Sequence, residues 1–298
     1  MDFLTSSTHG TSSHGRIAVA DEGWTTPQRG LRAKGVLPLT HRLLTEAAIR
    51  GSNRLAVGCD LTAAHLWSLA VPSGFGLEVD SQASAVATSR GGTRHRAGGL
   101  RGRRLELPAA HLTHVNGVPV TTPARTWLDC AALVSMTDTV AMGDGILRAG
   151  LASVHELQSI IDWGRGRRGV RQARVALTIL DPAAESPGES WVRAMLVLRG
   201  VPRPTCNAEV IASGYRFRLD MAWLDERIAV EYDGVDYHGP ADAERDEWRR
   251  RLLRNAGWVV IVVRKEDLGD IERVADQVRF ALARPVTTRT SCDHSDVL

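Results

Sequence analysis

Residues 218–239 read RLDMAWLDERIAVEYDGVDYHG, and this stretch decides how the C-terminal part of the chain is understood. Leu219, Met221 and Trp223 alternate with other residues, and Ile228, Ala229 and Val230 form an apolar run, so the pattern predicts two β-strands joined by a turn. Asp220 nevertheless sits inside the first strand, and Glu231 and Asp233 close the second. Carboxylates are uncommon inside a sheet unless something pairs or coordinates them. Strand side chains alternate, which puts Glu231 and Asp233 on one face, and Asp220 joins them if its strand lies alongside.

The surroundings predict a sheet with helices. Working outward, the order is helix (187–199), strand (207–212), strand (216–223), strand (227–233), helix (241–256), strand (258–264) and helix (268–283). Ser186 and Pro187 suit the cap and first position of the opening helix, and Gly200 follows its end. Trp258–Val263, WVVIVV, is an unbroken apolar run of the kind that fits a strand buried on both faces. Helices are therefore expected on both sides of the sheet.

Three crowded carboxylates repel one another, and a divalent cation relieves that repulsion. Oxygen donors favour Mg²⁺ or Mn²⁺ over zinc. His238 lies just beyond the Asp233-Gly234 turn, and an imidazole beside such a metal suits phosphodiester hydrolysis. Each acid also has a structural reading. Asp233 can simply shape the turn, and Asp220 and Glu231 can pair with arginines such as Arg216 or Arg218. Ser186 and Glu189 stand at capping-box spacing.

The rest of the chain sets the frame. Its 298 residues leave room for about two domains, with 43% hydrophobic and 24% charged residues and a net charge of +3. Lys34 and Lys265 are the only lysines, so nearly all positive charge is arginine; phosphate recognition and genome base composition both produce that bias. No apolar run is long enough to span a bilayer, the first 24 residues lack a signal-peptide pattern, and the four cysteines show no CxxC spacing. A cytoplasmic, reduced protein is expected.

The composition predicts disordered tails over 1–25 and 286–298, a mixed α/β region over 26–150, a helical connector over 151–183 and an α/β domain over 184–285. Within the first region, HRLLTEAAIR, TAAHLWSLAV, TPARTWLDCAALV and TDTVAMGDGILRAG predict helices, and RLAVG, RGRRLELP and HLTHVNGVPV predict strands. Arginine-rich stretches at 89–104, 164–174 (with Arg165 and Arg168) and along the 241–256 helix (Arg245, Arg249) are candidates for DNA backbone contacts or solvated surface. On that helix, Trp248 and Leu252 are expected to face inward.

Two resemblances follow from these residues. The order helix-Glu189, strand-Asp220, strand-Glu231-x-Asp233-Gly and then His238, with AERDEWRRRLLRNAGWVVIVVRKEDL over 243–268, resembles the very-short-patch repair endonuclease branch of the PD-(D/E)XK nuclease superfamily. The resemblance implies a restriction-endonuclease-like mixed sheet flanked by helices and a Mg²⁺- or Mn²⁺-dependent DNA endonuclease. Asp220 and Glu231 would be metal ligands with Asp233 adjoining. Glu189 would support the site, His238 would act on water or phosphate, and Arg245 and Asp246 would face or brace the cleft. The chain departs from that pattern where Asp233 stands in place of the usual lysine; either His238 substitutes or the domain has kept binding without catalysis. TAAHLWSLAV, NGVPVTTPARTWLDCAAL and DGILRAGL resemble the C-terminal part of abortive-infection type IV antitoxins over about 38–152. That resemblance implies a non-catalytic regulator with a toxin or other protein partner. An RNA nuclease using the same acids is a third alternative.

Overall fold

A computed structural model describes residues 3–5, 24–28, 31–34, 49, 56–72, 84–88, 100–234 and 240–284. The chain divides into two compact units, Met1–Leu180 and Asp181–Leu298. Both are mixed α/β.

In the first unit, β1 (Phe3–Thr5), β2 (Trp24–Gln28) and β3 (Leu31–Lys34) form a small antiparallel sheet in the order β1-β3-β2. Residues expected to begin a disordered tail thus pair as a strand. A five-stranded sheet contains β4 (Val57–Gly58), β5 (Ser84–Thr88), β6 (Leu100–Arg104), β7 (Leu112–Val115) and β8 (Val118–Thr121), in the order β6-β5-β4-β8-β7. The helices are α1 (Asp60–Leu66), α2 (Pro123–Cys130), α3 (Met136–Arg148), α4 (Val154–Trp163) and α5 (Val170–Ile179). The start of α2 is set by its sequence: Thr122 accepts a side-chain bond from the Arg125 amide, and Pro123 occupies the first turn, where its missing N–H costs nothing. Trp127 and Leu128 of α2, Ile146 of α3, and Leu157 and Ile161 of α4 are all buried, and α2 packs against both α3 and α4. The helix expected over 41–50 lies outside the described residues except for Ile49, as does most of the 89–104 arginine stretch.

The second unit contains α6 (Pro187–Leu198), β9 (Thr205–Ala212), β10 (Tyr215–Trp223), β11 (Ile228–Asp233), α7 (Pro240–Asn255), β12 (Val259–Arg264) and α8 (Ile271–Leu282), the last preceded by a 3-10 turn over Lys265–Asp270. Its sheet runs β12-β11-β10-β9. β9, β10 and β11 are antiparallel neighbours, whereas β11 and β12 are parallel because α7 carries the chain across between them. Val192, Leu196, Val274 and Val278 of α6 and α8 pack with Met221, Trp223, Ile228 and Val230 on one face. On the other, Leu253 of α7 packs with Leu219, Ala222 and Ala229.

Three details differ from the sequence pattern. WVVIVV is not a doubly buried central strand: β12 is at the end of the described sheet, and Val259 is 41% exposed while Val263 is buried. Leu253, not Trp248, is the inward anchor of α7; Trp248 is 38% exposed and meets Tyr215 edge-on at 5.1 Å. Finally, strand alternation changes phase at Asp220. Phe217 and Leu219 face the α7 side, but Met221 and Trp223 face α6 and α8. The change coincides with an irregular position on the neighbouring strand, where Asn207 adopts φ 48° between the paired residues Cys206 and Ala208. Non-glycine residues seldom take that conformation, and Asn is among the few that tolerate it.

Candidate functional site

The phase change places the acids. The β10–β11 ladder pairs Trp223 with Ile228, Ala222 with Ala229 and Met221 with Val230, and continuing it sets Asp220 across from Glu231. The Tyr232 amide donates to Asp220 Oδ2 at 2.9 Å. Asp220, Glu231, Asp233, Asp246, Arg249 and Arg250 line one cavity of about 220 Å³, together with Tyr232, Gly234 and Val262. The three strand carboxylates therefore come together. His238 lies outside the described residues.

Glu231 is 8% exposed and has a dominant partner. Arg249 Nη1 stands 2.7 Å from Glu231 Oε1, although the approach is not aligned as a hydrogen bond. Arg249 Nη2 donates to the Arg218 carbonyl on β10. One guanidinium thus touches both acid-bearing strands. Burial pushes the Glu231 carboxyl above its ordinary range, and Arg249 pulls against that shift. Burial also pushes Asp220 up to about 6; the Tyr232 N–H opposes this, while Glu189 and Glu231 reinforce it.

The arginines considered as alternative partners are committed elsewhere. Arg218 pairs with Glu185, and Arg216 stands 3.4 Å from Glu209. Glu189 lies outside the cavity lining. Ser186 accepts from the Glu189 amide, but the Glu189 carboxylate accepts from the Glu185 amide at 2.8 Å and Asn207 Nδ2 at 3.0 Å, so the cap has one side-chain half rather than a reciprocal box. Its bond to Asn207 couples the first turn of α6 to the irregular position on β9. Arg245 is exposed and does not line the cavity. Arg165 and Arg168 are exposed in the first unit, where Arg165 pairs with Asp162 at 3.2 Å.

The donor set does not suit a divalent ion as arranged: Arg249 covers Glu231, and one oxygen of Asp220 already accepts an amide. Among the described residues, no group of three or more His, Cys, Asp or Glu side chains is disposed to hold a metal. Sequence reasoning missed Arg249 as the partner of Glu231. The signal was its spacing four residues before Leu253, one helical turn away on the same face.

The first unit contains a second cluster. Arg125, 1% exposed, donates from Nε to Asp129 and from Nη1 to the Glu106 carbonyl, and its guanidinium lies 4.6 Å from the Trp163 ring. Arg167 stacks on the same ring at 4.0 Å and pairs with Glu106 at 2.7 Å. His111 Nδ1 is 3.3 Å from Arg125 Nη1; arginine only donates, so Nδ1 accepts and the ring is held in its Nε2–H tautomer. Burial and the neighbouring cations lower the His111 pKa. His111 also lines an open groove of about 490 Å³ with Trp67, Thr113, Ser159 and Ile160.

Residues 56–179, from β4 through α5, match the family described as AbiEi antitoxin C-terminal domain. This part of the chain is antitoxin-like, and the two helices in the expected 151–183 connector lie inside the matched span. Over 161 residues the chain is 33% identical to two proteins of Mycobacterium tuberculosis, the uncharacterized protein MT2308 of strain CDC 1551 / Oshkosh and the uncharacterized protein Rv2248 of strain ATCC 25618 / H37Rv. The similarity covers 53% of this chain and 59% of each relative. No solved structure matches it. Among the described residues, no helix is long and apolar enough to cross a membrane.

Proposed function

We propose that this protein is a non-catalytic, antitoxin-like regulator that engages a toxin or other protein partner through its 56–179 domain and uses its C-terminal unit for binding, with DNA as the expected ligand. The family match over residues 56–179 carries this reading. The Glu231–Arg249 pair supports its non-catalytic half, because it commits a central acid of the nuclease-like arrangement to an internal cation. The exposed arginines Arg165, Arg168 and Arg245 suit sequence-independent phosphate contacts.

The test pairs binding with cleavage. Purified wild type, Asp220→Ala and Glu231→Ala are incubated with supercoiled DNA in Mg²⁺ or Mn²⁺, and binding to a labelled duplex is measured in parallel. All three should bind alike and leave the plasmid closed. Cutting by the wild type but not by the variants would overturn the reading. The partner half is tested by co-expression with growth-arresting proteins encoded by its own host: relief of arrest and a stable complex are expected with one of them, and their absence counts against an antitoxin role.

A specific observation favours a Mg²⁺- or Mn²⁺-dependent DNA endonuclease as the second reading: Asp220, Glu231 and Asp233 line one cavity. A divalent ion at Asp220 and Glu231 would polarise a phosphodiester, but Arg249 would first have to leave Glu231. The plasmid assay separates the two readings, and repeating it with structured RNA tests the ribonuclease alternative.

A further inference from the structure

We infer that Arg249 is the resident cation of the acidic cavity, its guanidinium standing in for the divalent ion that Asp220, Glu231 and Asp233 would otherwise share. The inference deepens the non-catalytic reading by naming what replaced the metal.

Geometry supports it first. Arg249 reaches in from α7 and is fixed at two points, by Glu231 on β11 and by the Arg218 carbonyl on β10. A bridging metal would likewise tie these two strands together. The enclosure is also suitable. The Arg249 side chain is 28% exposed and that of Glu231 10%, so the pair is partly withdrawn from water and is not a loose surface contact.

Charge supports it next. Arg250, the adjacent residue, lines the same cavity; its side chain is 18% exposed and also stands 3.9 Å from the exposed Glu247 one turn back on α7. Its Nε is buried without a hydrogen-bond partner among the described residues, and its charge reaches Glu231. Arg249 and Arg250 together bring two positive charges, as many as a divalent ion. Their arrangement differs from an ion in one consequential way: a guanidinium has no free ligand positions and only donates hydrogen bonds. It neutralises carboxylates but cannot coordinate and activate a water, as a metal ion does. The substitution therefore keeps the fold of the site and removes the chemistry.

The acid at position 233 is consistent with this assignment. The resemblance to nucleases calls for a lysine there, whereas this chain supplies its cations from α7.

The experiment is Mn²⁺ titration of the full chain, followed by calorimetry and by thermal melting, for wild type, Arg249→Met and Arg249→Met/Asp220→Asn. Wild type should show no saturable uptake and no Mn²⁺-dependent change in melting. Arg249→Met should melt lower without metal, regain stability when Mn²⁺ is added, and bind it at least about tenfold more tightly than wild type. The double variant should lose that uptake. Wild-type binding as tight as that of Arg249→Met overturns the inference. So does a folded Arg249→Met protein that takes up no Mn²⁺. If Arg249→Met fails to fold, Arg249→Lys decides: it keeps the charge but loses the two-point grip, so weakened rather than absent exclusion of Mn²⁺ is expected, and exclusion equal to wild type counts against the assignment. Mn²⁺ uptake by wild type as tight as that of Arg249→Met, with plasmid left intact, would sink this inference alone; plasmid cutting would sink the regulator reading.

Discussion

Replacing Asp220 with asparagine should stabilise the second unit at neutral pH and do almost nothing in acid. Asp220 titrates at about 6 in the folded protein against 3.8 for an ordinary aspartate, with burial the largest cause. The folded state therefore holds the proton more tightly than the unfolded state, and stability falls as pH rises from the unfolded value through the folded one. Above about pH 6 the full penalty applies, on the order of 3 kcal/mol at about 1.36 kcal/mol per pH unit. Asparagine removes the charge while its carbonyl oxygen can still accept the Tyr232 amide now bonded to Asp220 Oδ2. Urea unfolding of wild type and Asp220→Asn without divalent ions should differ by about 2–3 kcal/mol at pH 8 and by roughly 0.5 kcal/mol at pH 4. A neutral or destabilising substitution at pH 8, or a gain of equal size at both pH values, would refute the claim that Asp220 is a buried charge held at a cost.

Three further outcomes follow from packing and charge. A Cβ added at Gly188 would stand 2.0 Å from Cε1 of Tyr232, so Gly188→Ala should displace that ring and lower stability by about 1–3 kcal/mol in urea titrations; Gly234 faces the same ring and gives the matching control. Arg125→Met should cost about 3 kcal/mol or more, because it strands Asp129 beside the aromatic stack, and the loss should appear in melting of the first unit. In DNA binding, Arg165→Ala/Arg168→Ala should flatten the dependence of log affinity on log salt by about 0.9 for each phosphate no longer neutralised; an unchanged slope would remove both residues from the interface.

Much of the second unit was legible because its punctuation is local. Ser186 and Pro187 begin α6, Gly200 and Gly257 take positive φ after helices, and the apolar runs of β10 to β12 lie between them. The candidate site was legible as a meeting of Asp220, Glu231 and Asp233, since register and alternation are short-range properties. What could not be read was long-range. The strand phase changes at Asp220 opposite the irregular Asn207 on the neighbouring strand, and nothing in the sequence near Asp220 announces it. On α7 the expected Leu252 does pack against the core, but the helix is charged nearly all round, and taking Trp248 rather than Leu253 as the other anchor turned the inferred face. With it went the direction of Arg249. In the first unit, the stack of Arg125, Trp163 and Arg167 joins residues 38 and 42 positions apart and the helices expected to be merely connecting, so a local scan saw only a basic run.

The charge inventory of the cavity gives a last test that does not depend on a metal. Four acids, Asp220, Glu231, Asp233 and Asp246, share the lining with two cations, Arg249 and Arg250, so the ionised cavity carries a net charge of −2. Glu231 within that lining, and Glu189 outside it, add to burial in holding Asp220 near 6. Asp233→Lys exchanges an anion for a cation and brings the same lining to neutrality. If absence of a lysine were the whole deficit of a nuclease, this variant would begin to cut DNA in Mg²⁺. If Arg249 holds the cation's place, the added lysine should leave the plasmid intact and act only on titration, drawing the Asp220 pKa back toward its ordinary value and reducing the loss of stability between pH 4 and pH 8. Carbon-detected NMR of the Asp220 carboxyl reads that shift directly. An Asp220 titration unmoved by the new charge would show that the charge at position 233 does not reach it, and plasmid cutting would return the site to catalysis.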